Sequence, residues 1–89
     1  MKNWKWFVYI IECLDNSYYV GMTWKPELRY DQHLSGLGGN YTKKHGVKKL
    51  IYIEEYNNLE EARLREKQLK GWTRLKKEKL IKGEWNKIY

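Results

Sequence analysis

The sequence predicts an α+β domain, and three observations carry that prediction. Residues 8–21 hold two β-type runs around a polar turn. Residues 49–56 form a third such run, and residues 59–70 place apolar side chains at helical intervals behind a capping residue. The result is a small three-stranded antiparallel sheet flanked by helices, in the order β-β-α-β-α-α. Eighty-nine residues suit a single domain, 1–89 with a core of about 4–82, that can fold alone around a modest interior. Five Trp and eight Tyr supply much of its apolar area, each burying about 150–250 Å².

The first unit is the stretch VYIIECLDNSYYVG, Val8–Gly21. Asp, Asn and Ser bond their own backbone, and Asn tolerates positive φ, so Asp15-Asn16-Ser17 is the expected turn. With that three-residue loop Leu14 pairs with Tyr18 and Cys13 with Tyr19. Strand side chains alternate faces, so Tyr9 then shares a face with Tyr19. A two-residue loop would put the two phenols on opposite faces. Trp4 and Trp6 precede the strand and are expected to cover the open end of the hairpin.

A helix should follow, with Thr23 as cap, Pro26 in the first turn and Glu27 at the positive end of the dipole. It should run to about Ser35 and stop at Gly36. Arg29 and His33, four apart, lie on one face of it. Gly36–Gly46 is expected to be a flexible basic loop. In it Lys43 and Lys44 could follow a phosphate backbone while Tyr41 stacks on a base. It lacks the GKS or GKT ending of a P-loop, so no nucleotide cofactor is indicated.

Lys49–Tyr56 is expected to be a central, well-buried strand because of its apolar density. Asn58 and Glu61 form a capping box for a helix to about Lys70, ending at Gly71. Leu59, Ala62, Glu66 and Leu69 share one face of that helix, so Glu66 falls within the stripe that packs on the sheet. A carboxylate there demands a partner. A divalent cation, or an Arg from another element such as Arg29, meets the demand better than neighbouring cations, most of which point away. Mg²⁺ commonly takes only one or two carboxylates and keeps its waters. Thr73 caps a last helix with Leu75, Leu80 and Ile81 on its apolar side. Arg74, Lys76 and Lys77 lie on the basic side, as candidate backbone contacts to nucleic acid or simply a solvated face. Gly83 ends the helix, and Trp85, Ile88 and Tyr89 are expected to fold back.

Lys and Arg exceed Asp and Glu by 18 to 11, a net charge of +7 that favours a polyanionic partner or serves solubility alone. The lone Cys13 cannot form an internal disulfide and is read as packing in a reducing cytosol. No apolar run approaches membrane-spanning length and no signal-peptide pattern opens the chain, so a cytoplasmic location with no membrane partner is expected.

Val8-Tyr9-Ile10 followed by Tyr19-Val20-Gly21, with Arg29 ten residues on, His33 one turn later and Glu66 on a later helix, resembles the GIY-YIG nuclease family. The likeness is greatest to small stand-alone members of the UPF0213 type, related to the N-terminal domain of the UvrC excision-repair nuclease. Val8 stands where the family name has Gly, and Met22 where the repair-nuclease relatives carry a lysine. The family's late Asn has no assigned counterpart, Asn86 lying beyond the usual interval. The resemblance implies the GIY-YIG fold and a metal-dependent endonuclease acting on DNA, with branched or damaged DNA and a repair role as the forms it suggests. Tyr9 would be the general base, Arg29 would stabilise the pentavalent phosphate, and Tyr19 and His33 would orient substrate and water. Glu66 would hold one Mg²⁺ or Mn²⁺. The alternatives are a non-catalytic nucleic-acid-binding module on the same fold, or a purely structural domain. A monomer or weak homodimer is expected.

Overall fold

The computed structural model describes residues 5–83. Trp4, Trp85, Asn86, Ile88 and Tyr89 lie outside the described residues. The elements are β1 (Trp6–Cys13), β2 (Tyr18–Thr23), α1 (Pro26–Leu34), α2 (Asn40–His45), β3 (Val47–Tyr56), α3 (Leu59–Lys70) and α4 (Arg74–Ile81). The α+β class and antiparallel three-stranded sheet are as expected, with one helix more: residues 40–45, expected to be loop, form α2. Trp6 is the first residue of β1 and pairs with Tyr56, so it belongs to the sheet itself.

The sheet order is β2-β1-β3, with both pairings antiparallel. The central strand is therefore β1, and the expectation for residues 49–56 is corrected: β3 is an edge. The physical reason is in the side chains. β1 is buried on both faces, Val8 and Ile10 on one and Tyr9, Ile11 and Cys13 on the other, as a near-continuous apolar run requires. β3 carries Lys48, Lys49 and Glu55 exposed along its length, the charges that keep an edge from pairing with another chain. Its register against β1 shifts between Ile10 and Ile11 and again between Glu12 and Cys13.

The hairpin turn is one residue earlier than expected. Asn16 N–H donates to the Cys13 carbonyl at 2.9 Å and Cys13 N–H to the Ser17 carbonyl at 2.8 Å, with Asn16 at φ 70°. The three-residue loop is thus Leu14-Asp15-Asn16, which places the left-handed residue last, where Asn accepts it. Tyr19 faces Ile11 and Tyr18 faces Glu12, correcting the pairs Cys13–Tyr19 and Leu14–Tyr18. The slip is by two residues, an even number, so the two phenols still share a face.

At α1 the expected cap is corrected as well. Lys25 occupies the cap position without a side-chain bond, while Thr23, two positions before it, accepts from Lys25 N–H through Oγ1 at 3.1 Å. In α3 the Asn58 cap is as expected, its Oδ1 accepting from Glu61 N–H at 2.8 Å. The Glu61 carboxylate, however, accepts from Asn58 side-chain Nδ2 at 2.9 Å, where a capping box would have the backbone N–H. Thr73 caps α4 through Lys76 N–H. Helix α4 buries Leu80 and leaves Leu75 exposed, so Leu75 leaves the expected apolar side.

Two small cores result, one on each face of the sheet. Val8, Ile10 and Val20 pack with Ala62, Leu69 and Leu80 beneath α3 and α4. Tyr9, Ile11 and Cys13 pack with Tyr19, Tyr30, Val47 and Leu50 on the side of α1. Cys13 is fully buried, in keeping with a packing role, and burial pushes its thiol pKa up. Helix α3 is locked to β3 by Glu54, which accepts from Tyr52 at 2.5 Å, Tyr56 at 2.6 Å and both arms of Arg65 at 2.9 Å. Such a bidentate, partly buried pair is stronger than an exposed one. No helix among the described residues is long and apolar enough to cross a membrane.

Candidate active site

The even register slip leaves Tyr9 and Tyr19 side by side, their ring centroids 6.3 Å apart. Tyr9 sits opposite Gly21 in the pairing, and its ring lies across that glycine. A Cβ on Gly21 would be 2.4 Å from both Cζ and Oη of Tyr9. Glycine is required there by space, since Gly21 is not among the residues with positive φ.

His33, in the last turn of α1, is 2 % exposed. Its Nε2 is 2.9 Å from Tyr9 Oη and its Nδ1 is 2.7 Å from Thr42 Oγ1. Both ring nitrogens are therefore partnered, and the imidazole is held edge-on to Tyr9 and Tyr19 at 5.8 and 5.2 Å. Burial, with the nearby Arg29 charge, lowers the His33 pKa and favours neutral imidazole. Arg29 donates through Nη1 to Gln32 Oε1 at 3.0 Å and through Nη2 to the Gly38 carbonyl at 2.8 Å.

Three contributors have no chemistry of their own to announce them in the sequence. Thr42 is buried and orients His33; α2 exists in the right place to deliver it. Gly38 lies against His33 so closely that a Cβ would be 2.4 Å from Nδ1, and its carbonyl holds Arg29. Gln32 braces the same guanidinium. The one available signal was the Gly38-Gly39 pair, since glycine permits close backbone approach.

The Tyr9 phenol is pushed up to about 12. Burial is the main cause, Arg29 pulls the other way, and the charges of Tyr19 and Glu66 add to the rise. Glu66 is the least of these influences, and its helix α3 packs on the opposite face of the sheet from Tyr9. Its carboxylate is about a fifth exposed (22 %) and pairs with Lys70 Nζ at 3.4 Å. The cation that accompanies it is a neighbour on its own helix, whereas the sequence pointed to Arg29 or a metal.

The remaining expected site residues fall in two places. Tyr41 stacks near Tyr19, centroids 5.6 Å apart, and against His45 at 4.2 Å, so a ladder of rings runs from the buried Tyr9 to the surface. Lys43 and Lys44 are exposed on α2 beside it. On α4, Arg74 lies 4.2 Å over the Tyr18 ring, bonds Glu78 and donates to the Asn16 carbonyl. Lys76 lies 6.0 Å from the Trp72 ring, and Lys77 is partly buried. Of these three, Arg74 and Lys76 lie against Tyr18 and Trp72, rings of the core on the α3 side of the sheet.

A strand-borne tyrosine pair beside a helix-borne arginine and histidine, on a three-stranded sheet, is the arrangement of a GIY-YIG domain. The sequence pattern of the GIY-YIG catalytic domain matches residues 5–79, and the chain belongs to that family. Among its relatives is a UPF0213 protein of Clostridium perfringens, 41 % identical over 78 residues, covering 88 % of this chain and 84 % of that one. A UPF0213 protein of Staphylococcus aureus is 42 % identical over 76 residues, covering 85 % and 93 %. The solution structure of a UPF0213 protein from Bacillus halodurans superimposes with a TM-score of 0.58 at 37 % identity, covering 88 % of this chain and 83 % of that one.

Proposed function

We propose that this protein is an endonuclease that hydrolyses phosphodiester bonds in DNA. The observation that carries the reading is the buried 2.9 Å contact between Tyr9 Oη and His33 Nε2, with the Arg29 guanidinium beside it. Phosphodiester hydrolysis needs a base for the attacking water and positive charge at the non-bridging oxygens. A phenol with its pKa near 12 holds its proton at neutral pH, so it can take one from water only by passing its own on. Neutral His33 provides the outlet. With Nδ1–H donating to Thr42 Oγ1, the lone pair of Nε2 faces the phenol. As the water proton moves to Tyr9 Oη, the phenol proton moves to Nε2 and hydroxide attacks phosphorus. The bond from phosphorus to the leaving oxygen breaks, and that oxygen takes a proton from solvent. Imidazolium His33 returns its extra proton through Tyr9 to solvent. Arg29 stabilises the phosphorane charge, held in place by Gln32 and Gly38. Tyr19 packs against both rings and keeps them aligned.

Glu66 is the residue that would hold a divalent cation, Mg²⁺ or Mn²⁺. One partly exposed carboxylate fits a hard cation that retains most of its waters. When bound, such an ion supplies Lewis-acid stabilisation of the leaving oxygen. Lys43, Lys44 and Tyr41 flank the tyrosines and suit the DNA backbone and a base. Arg74, Lys76 and Lys77 remain candidates for contacts further along the duplex. Branched or damaged DNA as substrate, a role in repair, a cytoplasmic location and a monomer or weak homodimer complete the reading.

Branched, nicked and linear DNA incubated with Mg²⁺ or Mn²⁺ test it, beside Tyr9→Phe and Glu66→Ala. Cleavage by the wild type, lost in both variants with DNA binding retained, is the expected result. The ion pair between Lys70 and Glu66 favours a second reading, a binding module without catalysis. Retarded bands with no product under either metal would establish that module and end the enzyme proposal.

A further inference from the structure

Helix α2 hangs between Gly39 at φ 132° and Gly46 at φ 77°, two junctions whose backbone freedom leaves its direction to be set by side chains. Thr42 bonds the imidazole of His33, and His45, three residues on, bonds Asp15 in the hairpin loop. The Asp15 carboxylate is itself fixed. Its Oδ1 accepts from the Ser17 N–H at 3.1 Å and the Ser17 hydroxyl at 2.6 Å, which leaves Oδ2 for His45 Nδ1. Tyr41 stacks on the His45 ring from the same helix, and the Leu14 N–H reaches the Gly46 carbonyl at 3.2 Å. The side chains of Asp15 and His45 are 45 % and 27 % exposed, so their pairing adds little to stability. Its consequence is geometric.

We infer that Asp15 is a positioning residue for His33, acting through His45 and Thr42. The inference rests on the proposed hydrolysis for its catalytic meaning, but it concerns the state of the histidine alone. A phenol is a better donor than an aliphatic alcohol, so Tyr9 donates to Nε2 and the ring hydrogen sits on Nδ1. There it needs Thr42 Oγ1 at its present 2.7 Å. With α2 unlatched, Thr42 shifts, Nδ1–H is left buried without an acceptor, and the ring hydrogen transfers to Nε2. That nitrogen then presents a hydrogen to Tyr9 in place of a lone pair, and the outlet for the phenol proton closes. The loop between the two tyrosine strands thereby also sets the tautomer of the histidine they share.

Long-range nitrogen–proton NMR of the full chain at neutral pH, without metal or DNA, reads the His33 tautomer from its two ring-nitrogen shifts. The wild type should show protonated Nδ1 and bare Nε2. His45→Phe keeps a ring against Tyr41 but cannot bond Asp15. Asp15→Ser keeps an acceptor for the Ser17 N–H but is too short to reach α2. In either variant the two His33 shifts should converge, and His45→Arg, which restores a donor to Asp15, should return the wild-type pattern. An unshifted His33 in whichever of the first two variants folds overturns the inference, as does Nε2-protonated His33 in the wild type. In cleavage assays the same two variants should lose kcat by about tenfold or more with KM held. The NMR readout involves no cleavage, so a protein that cuts nothing but shows these shifts ends the nuclease reading and leaves the inference standing.

Discussion

Placing a methyl group on Gly21 tests the geometry of the candidate site most directly. The alanine Cβ would stand 2.4 Å from Tyr9 Cζ and Oη and 2.9 Å from Cε1. Relaxed heavy-atom contacts are about 3.5–4.0 Å, so the ring must retreat by roughly an ångström. That movement takes Oη out of bonding range of His33 Nε2, now at 2.9 Å. Overpacking costs about 1–3 kcal/mol, and a buried polar group left unpaired about as much again. We expect Gly21→Ala to lose about 2–6 kcal/mol in urea denaturation, which in a domain this size lowers Tm by at least about 8 °C. Phenylalanine at position 9 gives only partial relief because Cζ stays. In a Tyr9→Leu background the same alanine should cost less than about 1 kcal/mol, so the double-mutant cycle isolates a large coupling. Equal cost in the two backgrounds would refute the proposition that Gly21 is reserved for the tyrosine ring.

Thr42→Val removes the partner of His33 Nδ1 and should cost about 1–3 kcal/mol by denaturation, whereas Thr42→Ser should restore most of it. Tyr9 has its pKa raised above that of the unfolded chain, so its contribution to stability is complete below pH about 10 and is lost as pH rises through about 12. Difference absorbance titration against Tyr9→Phe should show that one phenol ionising late. Asp15 is the opposite case, held down at about 2 by the Ser17 hydroxyl first and His45 next. Its contribution is present above pH about 4 and disappears as pH falls toward 2, and Tm measured against pH should lose that slope in Asp15→Asn. Leu69→Ala, at a fully buried position under α3, should cost about 2–5 kcal/mol in denaturant.

Local chemistry was readable in the sequence where one residue decides the outcome. Asn58 and Glu61 fix the start of α3, and even spacing fixes the shared face of Tyr9 and Tyr19 whichever of two odd-loop registers forms. Register itself was not readable, because Asp15, Asn16 and Ser17 are all turn formers and only the left-handed φ of Asn16 selects the last loop position. Strand order was misjudged at residues 49–56, where apolar density outweighed the lysines and glutamates that mark an edge. Of the candidate site, the convergence of Tyr9, Tyr19 and His33 was legible and the residues that support them were not. Thr42 and Gly38 act by shape, and only the folded chain shows that His33 lies between them. Glu66 illustrates the remaining limit: helical spacing gives its face, but the choice between Lys70, Arg29 and a metal depends on how α3 lies on the sheet.

Arg74 ties the end of the fold to its beginning. Its guanidinium covers Tyr18 and reaches the carbonyl of Asn16, 58 positions earlier. The hairpin bearing both phenols precedes α4 in the chain, so its tip stays unclasped until the segment carrying Arg74 has been made. A chain cut before α4 would display the tyrosines without the fastening that steadies their turn, so the candidate site leans on a helix remote from it in sequence.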